Sequence, residues 1–364
     1  MKLTIFIGGL SGGGAERVVC NLANYMINHG HKVDILNMTE DTPAYELNSE
    51  VTRYCLKKKG EELGKISSLT TRIKRLKKYI KSNNTDCYLV FLPITTILLF
   101  IFKRLIKVPI IASERANPES YSKSIQCFLK KCAESADGYV FQTEDAQKWY
   151  ADSCRKTITQ VIPNAINEEF IGKKYEGERK KVIVAAGRMN AQKNFGLLLR
   201  SFANIADEFP DYKLKILGDG ALLQNYKELA VSLGIGDRVE IPGHVNNVGE
   251  HIKDASLFVL SSNYEGMPNA LMEAMALGLP CVSTKCPCGG PAFLIQHGEN
   301  GLLVEVGNEE QMTDAIRQVL SDRQLAEKIG DNASKICETL APDKIYGQWE
   351  NFILSIANGG GKSE

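Results

Sequence analysis

Short runs of β-branched and aromatic residues alternate with longer amphipathic segments along the whole chain. In the first half, this alternation predicts strands at 2–8, 32–38, 87–92, 109–114 and 138–143. A helical pattern over 15–30 ends at Gly30, as is typical of a helix C-terminus. After a polar linker at 162–181 the alternation restarts, with strands predicted at 181–187, 213–218, 238–243, 257–262, 280–284 and 301–306. Such alternation indicates parallel sheets covered on both faces. We therefore predict an α/β chain with two doubly wound, Rossmann-like parallel-sheet domains that face a cleft.

Length and charge agree with two folded domains. The 364 residues exceed the usual size of one domain, and 44% hydrophobic with 24% charged residues argues against disorder. Residues 1–165 contain 24 Lys and Arg against 16 Asp and Glu, whereas residues 166–364 contain 20 against 27. This asymmetry predicts that the first half meets something anionic.

Cysteine usage and hydropathy narrow the class further. The ten cysteines form no C-x-x-C pair and no His/Cys cluster, so we expect reduced thiols in a cytoplasmic protein without a metal site. The start of the chain is typical of a first strand and turn rather than of a signal peptide. The most apolar segment, 88–102, contains Pro93 and is shorter than the ~20 residues of a membrane-spanning helix.

Two acids in the stretch 263–284 are candidate ligand contacts. Glu265 follows a predicted strand, and Pro268 suits the first turn of the helix that contains Glu273. The backbone N–H groups of 266–269 would form an anion site at the carboxyl end of that strand. The two acids are about 80° apart around a helix, which favours two separate hydroxyl acceptors at the two ends of one ligand. The alternative is a pair of solvated glutamates.

Cations and glycines occupy other strand-to-helix turns. Arg188 and Lys193 follow the strand at 181–187 and would straddle a diphosphate, although surface charges in a loop are the alternative. The turn "GLSGGGAER" contains three successive glycines, which let a backbone approach a phosphate or sugar closely. Tight turns also use glycine for purely structural reasons.

The basic excess concentrates in 57–81, which contains ten Lys and Arg against two Glu. Apolar residues at helical spacing form a predicted stripe opposite a cationic face: Ile66, Leu69, Ile73, Leu76 and Ile80. This segment is either a helix docked on the core or a face that meets anionic lipid headgroups or a pyrophosphate.

Three of these motifs and the start of the linker together resemble a known family. "EGMPNALME" is similar to the E-x7-E signature of the retaining family 4 glycosyltransferases, which have the two-domain GT-B fold. "GRMNAQKN" resembles the family's G-R-x(4)-K-N element, "GLSGGGAER" its N-terminal turn, and "VIPNAIN" its interdomain linker. The resemblance implies an acceptor-binding domain at 1–165, a nucleotide-sugar donor domain at 166–342, and a C-terminal helix at 343–358 that returns to the first domain.

The resemblance also implies roles for individual residues. Arg188 and Lys193 would neutralise the leaving diphosphate, and Glu265 would contact the donor sugar, so these three are the expected catalytic residues. Glu273 would contact the ribose and Val245 the base. Further donor-binding residues would be Gly13, Gly14, Gly266, Met267, Pro268, Asn269 and Ala270. Expected acceptor-binding residues are Gly12, Arg115, Lys74, Lys77 and Lys78. Neither a metal ion nor a cofactor is expected.

Arg115 departs from the family pattern, since many relatives have a His at that place. An arginine cannot act as a base, so no proton relay is transferred to it, and we expect it to bind an acceptor phosphate or sugar.

The expected activity is retaining transfer of a hexose or N-acetylhexosamine from a UDP-sugar to a glycan on a polyprenyl diphosphate, in surface polysaccharide or glycoconjugate assembly. The enzyme would be peripheral on the inner face of the cytoplasmic membrane, with no nucleic acid partner. The alternatives are a soluble acceptor, a GDP-sugar donor, an epimerase or hydrolase of the same fold, or a non-catalytic binding protein.

Overall fold

A computed structural model describes residues 1–58, 60–61 and 64–359, without the side chains of Lys65 and Ile66. The chain divides into two compact units. Of the described residues, those within 1–164 and 343–359 form unit 1, and 165–342 form unit 2. Each unit contains one parallel sheet, so the predicted fold class of two parallel-sheet domains is confirmed.

Among the described residues, the sheet of unit 1 has seven strands in the order β3-β2-β1-β4-β5-β6-β7. They are β1 (Lys2–Ile7), β2 (Lys32–Asn37), β3 (Thr52–Cys55), β4 (Cys87–Phe91), β5 (Ile110–Ser113), β6 (Gly138–Phe141) and β7 (Ile158–Val161). The helices between them are α1 (Gly14–Asn28), α2 (Lys65–Ser82), α3 (Pro93–Phe100), α4 (Lys123–Ser135) and α5 (Glu144–Trp149). Helix α1 leads from β1 to β2, toward the β3 edge of the sheet, whereas α2 to α5 each lead to the next strand in the chain, toward the β7 edge. Because parallel crossovers are right-handed, α2 to α5 cover one face and α1 covers the opposite one.

The sheet of unit 2 has six strands in the order β10-β9-β8-β11-β12-β13. They are β8 (Lys180–Ala186), β9 (Lys213–Leu217), β10 (Val239–Gly243), β11 (Ala255–Leu260), β12 (Cys281–Thr284) and β13 (Leu302–Val304). Its helices are α6 (Phe195–Ala203), α7 (Leu223–Ser232), α8 (Val248–Ile252), α9 (Asn269–Ala276), α10 (Gly290–Leu294), α11 (Glu309–Ser321), α12 (Arg323–Ser334) and α13 (Ile336–Thr339).

The last helix, α14 (Pro342–Ala357), packs in unit 1 on the same side as α1. Trp349 is fully buried, and its ring lies 5.8 Å from that of Phe91 on β4. The rings of Tyr346 and Tyr25 are also 5.8 Å apart, which joins α14 to α1. Aromatic pairs at such distances contribute more than their buried area alone.

Two strands were not predicted, and both lie at the edges of the first sheet. β3 has the sequence TRYC and β7 has ITQV, and neither contains a fully buried residue. Edge strands are covered on fewer sides and therefore need no continuous apolar run. The predicted helix stop is confirmed, because α1 ends at Asn28 and Gly30 adopts a φ of 80°.

The predicted stripe on α2 is partly wrong. Leu76 is fully buried, but Leu69 is 47% exposed, and Ser68 and Tyr79 are buried instead. The Tyr79 hydroxyl donates to Asp34 on β2 at 3.0 Å. This polar anchor places the Tyr79 face of α2 against the sheet, and hydropathy alone does not reveal it. The side chain of Ile66 lies outside the described residues.

Candidate functional site

The charged residues predicted in unit 2 follow two neighbouring strands. Arg188 and Lys193 come after β8, and Glu265 comes after β11. These strands pair in parallel at the centre of the sheet. Since the carboxyl ends of parallel strands share one edge, side chains about 70 residues apart in the chain meet there.

Glu265 is the centre of a buried polar cluster. The residue is only 6% exposed, and its Oε1 lies 2.6 Å from the Lys193 ammonium. Ser262 donates to the same oxygen at 2.6 Å, and the Gln192 amide donates to Oε2 at 3.3 Å. A buried carboxylate needs a cation and hydrogen-bond donors to offset its lost hydration, and this cluster supplies both.

The backbone of Glu265 is held as firmly as its side chain. Its N–H donates to Pro287 at 2.6 Å, and its carbonyl accepts from Cys288 at 2.7 Å, which ties the loop after β11 to the loop after β12. A Cβ at Gly290 would lie 1.7 Å from the Gly266 carbonyl oxygen. Only glycine fits there, so the loop that contains Glu265 rests directly on the start of α10.

The loop that contains Arg188 is also closely packed at its base. A Cβ at Gly218 would lie 1.9 Å from the Gly187 carbonyl oxygen, and Gly218 adopts a φ of 141°. Met189 donates its N–H to the backbone carbonyl of Asp219 at 2.8 Å. Above this base the Arg188 side chain is exposed, whereas Lys193 is turned inward to Glu265. The two predicted cations thus occupy different environments.

The remaining predicted donor contacts surround α9. The helix begins at Asn269, so Pro268 is its N-cap residue rather than, as predicted from the sequence, part of its first turn. Met267 and Pro268 are buried, and Asn269, Ala270 and Glu273 are half-buried. Val245, in the loop after β10, is also half-buried, and its neighbour His244 is exposed.

The glycine-rich turn of unit 1 follows β1 and is held by the segment after β2. Gly13 is the N-cap residue of α1, and Gly12 adopts a φ of 124°. The Asp41 carboxylate accepts from the Leu10 N–H, and the Tyr45 hydroxyl donates to the Gly13 carbonyl at 3.2 Å. Sequence reasoning missed Asp41 and Tyr45, because both lie in an irregular segment without a motif.

Arg115 lies inside unit 1. The buried guanidinium donates to the Asn164 side chain, approaches the Ile162 carbonyl at 3.5 Å, and lies 5.7 Å from the Trp349 ring centre. Burial lowers its pKa to about 9, which leaves the group protonated at neutral pH. Its acceptor-binding role stays a prediction, and its observed contacts are internal. Lys74, Lys77 and Lys78 are exposed on α2.

Neither a metal cluster nor a membrane-spanning helix is found in the described part of the chain. No three His, Cys, Asp or Glu side chains there are grouped to hold a metal ion. No described helix combines the length and the apolar character that crossing a bilayer requires. All ten cysteines are free thiols.

Family models match both halves of the chain. The model of Glycosyltransferase Family 4 matches residues 12–170. The model of Glycosyl transferases group 1 matches residues 167–336, which include Arg188, Lys193 and Glu265.

Relatives of similar length are glycosyltransferases. An uncharacterized glycosyltransferase of Haemophilus influenzae is 28% identical over 97% of this chain and 99% of its own. A Campylobacter jejuni α-1,4-N-acetyl-D-galactosaminyltransferase, named for a diNAcBac-PP-undecaprenol-linked substrate, is 27% identical over 98% of this chain and 99% of its own.

Solved structures with the same fold are more distant in sequence. Sucrose-phosphate synthase of Thermosynechococcus elongatus superposes with a TM-score of 0.84 at 17% identity, covering 98% of this chain and 99% of that one. HepE of Anabaena, solved in complex with UDP, superposes with a TM-score of 0.81 at 16% identity, covering 98% and 100%. The chain therefore belongs to the family 4 glycosyltransferases of the GT-B fold and is an enzyme of the hexosyltransferase class.

Proposed function

We propose that this enzyme transfers a hexose or N-acetylhexosamine from a UDP-sugar to a polyprenyl-diphosphate-linked glycan, with retention of the anomeric configuration. One observation carries the donor part of this proposal. The Lys193–Glu265 pair lies at the carboxyl edge of the second sheet, with Glu265 buried and Lys193 half-buried. The exposed Arg188 side chain follows β8, the strand that also leads to Lys193. A cation fixed by a buried partner is preorganised for a diphosphate and needs little rearrangement when charge develops.

The residues of unit 2 divide the donor between them. Arg188 and Lys193 neutralise the diphosphate, and the first residues of α9 add backbone N–H groups. Glu265 accepts hydrogen bonds from Lys193, Ser262 and Gln192, and a carboxylate has about four acceptor positions. One position is thus left for a sugar hydroxyl. Glu273 binds the ribose, and the backbone near Val245 meets the base.

The transfer is an exchange of two bonds at the anomeric carbon. The acceptor hydroxyl oxygen forms a bond to this carbon while the bond to the phosphate oxygen breaks. The electron pair of the broken bond leaves with the nucleoside diphosphate, and the hydroxyl proton passes to the departing phosphate oxygen. Attack and departure on the same face retain the configuration without a covalent sugar–enzyme intermediate. Lys193 and Arg188 stabilise the negative charge that grows on the departing phosphate. We propose that these two cations act in place of a metal ion.

Two comparisons support the choice of donor and acceptor. HepE of Anabaena binds UDP in its solved complex. Two C. jejuni relatives, each about 27% identical, are named for substrates linked to undecaprenol diphosphate. The basic excess of the first half and the exposed lysines of α2 suit an anionic, lipid-linked acceptor at the inner face of the cytoplasmic membrane. A GDP-sugar donor or a soluble acceptor is the alternative within this class.

A panel of nucleotide sugars tests the donor. We expect UDP-sugars to raise the melting temperature and to be hydrolysed slowly without an acceptor, with turnover unchanged by EDTA. Stabilisation by GDP-sugars alone would contradict the donor assignment, and loss of activity in EDTA would contradict metal independence.

Replacement of Glu265 separates an enzyme from a binding protein. Glu265→Ala should abolish most turnover and leave some UDP binding, whereas Glu228→Ala, on the exposed side of α7, should be neutral. Unchanged turnover in Glu265→Ala would show that this carboxylate does not act on the donor sugar.

The acceptor is tested with matched glycans. Radiolabelled sugar should pass to a glycan on a short polyprenyl diphosphate faster than to the same glycan without the lipid diphosphate. Equal rates would favour the soluble acceptor, and release of an epimerised nucleotide sugar would favour an epimerase.

A further inference from the structure

Helix α3 of unit 1 is apolar on its outer face as well as on its inner one. Its sequence PITTILLF contains no charged residue, and Thr95, Thr96, Leu98 and Leu99 are buried against the rest of the unit. On the other side, Ile94 is 55% exposed and Ile101, directly after the helix, is 60% exposed. These residues are seven positions apart and therefore lie within about 20° of one another around a helix. A surface helix in water normally has a polar outer face, so this face calls for a cover.

Helix α4 extends the apolar region. It packs against α3 on the same face of the sheet, and its Phe128 is 54% exposed. Leu105, in the turn after α3, is exposed as well. We call Ile94, Ile101, Leu105 and Phe128 the α3–α4 surface.

Cations accompany this surface. Residues 93–135 contain seven Lys and Arg against three Glu, and one residue of each kind, Arg115 and Glu114, is buried. Arg104, Lys107 and Lys131 are exposed beside the apolar residues. The exposed apolar side chains suit the acyl-chain region of an anionic bilayer, and the cations around them suit its headgroup region.

The location of the surface suits an acceptor carried by a lipid. α3 begins directly after β4, at the edge of the sheet that also carries the glycine-rich turn. A Cβ at Gly8 would lie 3.9 Å from Leu92 Cδ1, so the start of α3 adjoins the start of that turn. A membrane along α3 would thus meet the protein beside the predicted acceptor residues.

We propose that the α3–α4 surface is the membrane-docking surface of this enzyme, with Ile94, Ile101, Leu105 and Phe128 inserted among the lipids and Arg104, Lys107 and Lys131 at anionic headgroups. The inference deepens the proposed function, on which it rests for the lipid-linked acceptor. A bilayer is favoured over a second copy of the chain, because two copies joined through this surface would bring like charges together.

Sedimentation with vesicles tests the surface. The intact protein should sediment with phosphatidylglycerol-containing vesicles at low salt and much less with pure phosphatidylcholine. Ile101→Glu and Phe128→Glu should each lower the vesicle partition coefficient by about tenfold or more, because each removes an apolar side chain that would be inserted in the lipid. Arg104→Gln combined with Lys107→Gln should lower it by at least about tenfold and reduce its salt dependence. Val231→Glu, at an exposed apolar position of unit 2, is the matched control and should change nothing.

Cys127 offers a direct readout that does not depend on activity. Cys127 is adjacent to Phe128 and has an exposed side chain. All ten cysteines lie in the described part of the chain, and of the other nine, Cys55 and Cys337 are half-buried and seven are buried. A polarity-sensitive maleimide at Cys127 should shift its emission to the blue when anionic vesicles are added, and Cys127→Ser should abolish that signal.

Three outcomes overturn the inference. In the first, vesicle binding survives Ile101→Glu and Phe128→Glu but is lost in a Lys74→Gln, Lys77→Gln and Lys78→Gln variant, which would assign docking to α2 alone. In the second, those glutamate variants dissolve a dimer, which would make a second copy the occupant. In the third, the protein ignores anionic vesicles. Transfer to a glycan on a short, water-soluble polyprenyl diphosphate is measured in parallel. If the wild-type protein does not catalyse this transfer, the result counts against the proposed function rather than against the docking surface.

Discussion

The candidate site of unit 2 is built from charged side chains, whereas the glycine-rich turn of unit 1 is built mainly from backbone. In unit 2 the charged side chains of Lys193 and Glu265 pair inside a buried cluster. In unit 1 the glycine-rich turn offers mainly backbone, and Asp41 and Tyr45 hold its shape. A fixed charge suits a diphosphate, which UDP- and GDP-sugars share, whereas a glycine backbone suits close approach by groups of variable shape. The contrast teaches that the candidate site of unit 2 depends on electrostatics, whereas the glycine-rich turn of unit 1 depends on backbone shape.

Removal of the Lys193 ammonium should show the largest effect. Lys193→Met should lower turnover by about 10²–10³ because a preorganised charge is lost. It should also lower the free energy of unfolding by about 3–5 kcal/mol, since Glu265 is left buried without its cation. Chemical denaturation and initial rates measure the two effects separately.

A double variant sharpens this result. Lys193→Met with Glu265→Gln removes the unpaired charge, so stability should recover while turnover stays low. Recovery of turnover together with stability would show that the pair serves only the fold.

Glycine-to-alanine substitutions in the two units should change the free energy of unfolding in opposite directions. In Gly290→Ala the new Cβ would overlap the Gly266 carbonyl, so we expect a loss of about 1–3 kcal/mol in stability and weaker UDP binding. Gly347→Ala lies inside α14, where the nearest atom is Tyr25 Oη at 3.5 Å. There alanine should stabilise by about 0.5–1 kcal/mol, because it favours a helix over glycine. Equal urea midpoints for the two variants would contradict the packing described for the Glu265 loop.

Loosening the glycine-rich turn should have a smaller effect on turnover. Asp41→Ala removes the acceptor for the Leu10 N–H and the partner of Arg53, at 3.1 Å, so turnover should fall by about tenfold. The Kd for UDP should change much less, because most donor contacts are assigned to unit 2. Asp86→Ala is the matched control, since Asp86 accepts from the Lys2 N–H at the opposite end of β1 at 2.7 Å. Asp86→Ala should lower the free energy of unfolding and leave turnover at the wild-type level. An equal loss of turnover in Asp41→Ala and Asp86→Ala would show that the glycine-rich turn has no specific role in catalysis.

Thiol reactivity should show the smallest effect. Burial raises the pKa of Cys286 to about 12, so at about pH 8 only ~10⁻⁴ of it is thiolate, the reactive form. Reaction should therefore be slow and should accelerate as the pH rises, whereas exposed Cys127 should react within minutes. Peptide mapping after maleimide treatment of native and unfolded protein checks this difference. Rapid native labelling of Cys286 would show that the loop beside Glu265 opens readily.

Much of the fold could be predicted because period and strand length are local properties. Runs such as 32–38 and 138–143 are buried on both faces, so their apolar character shows directly in the sequence. The edge strands β3 and β7 were not predicted, since half-buried strands have no such run. The inward face of α2 was misassigned for a related reason, because a hydrogen bond from Tyr79 to Asp34 decides it.

The sequence by itself determined the two parallel sheets and placed Arg188, Lys193 and Glu265 after strand ends, because alternation and strand-to-helix turns are encoded within short segments. Only the tertiary structure decided which of these charges meet. Strand order makes β8 and β11 neighbours, so Lys193 pairs with Glu265 while Arg188 stays exposed. It likewise buried Arg115 against Asn164 and Trp349, which are distant in sequence. Burial and ion pairing depend on contacts between segments far apart in the chain, and no local pattern specifies them.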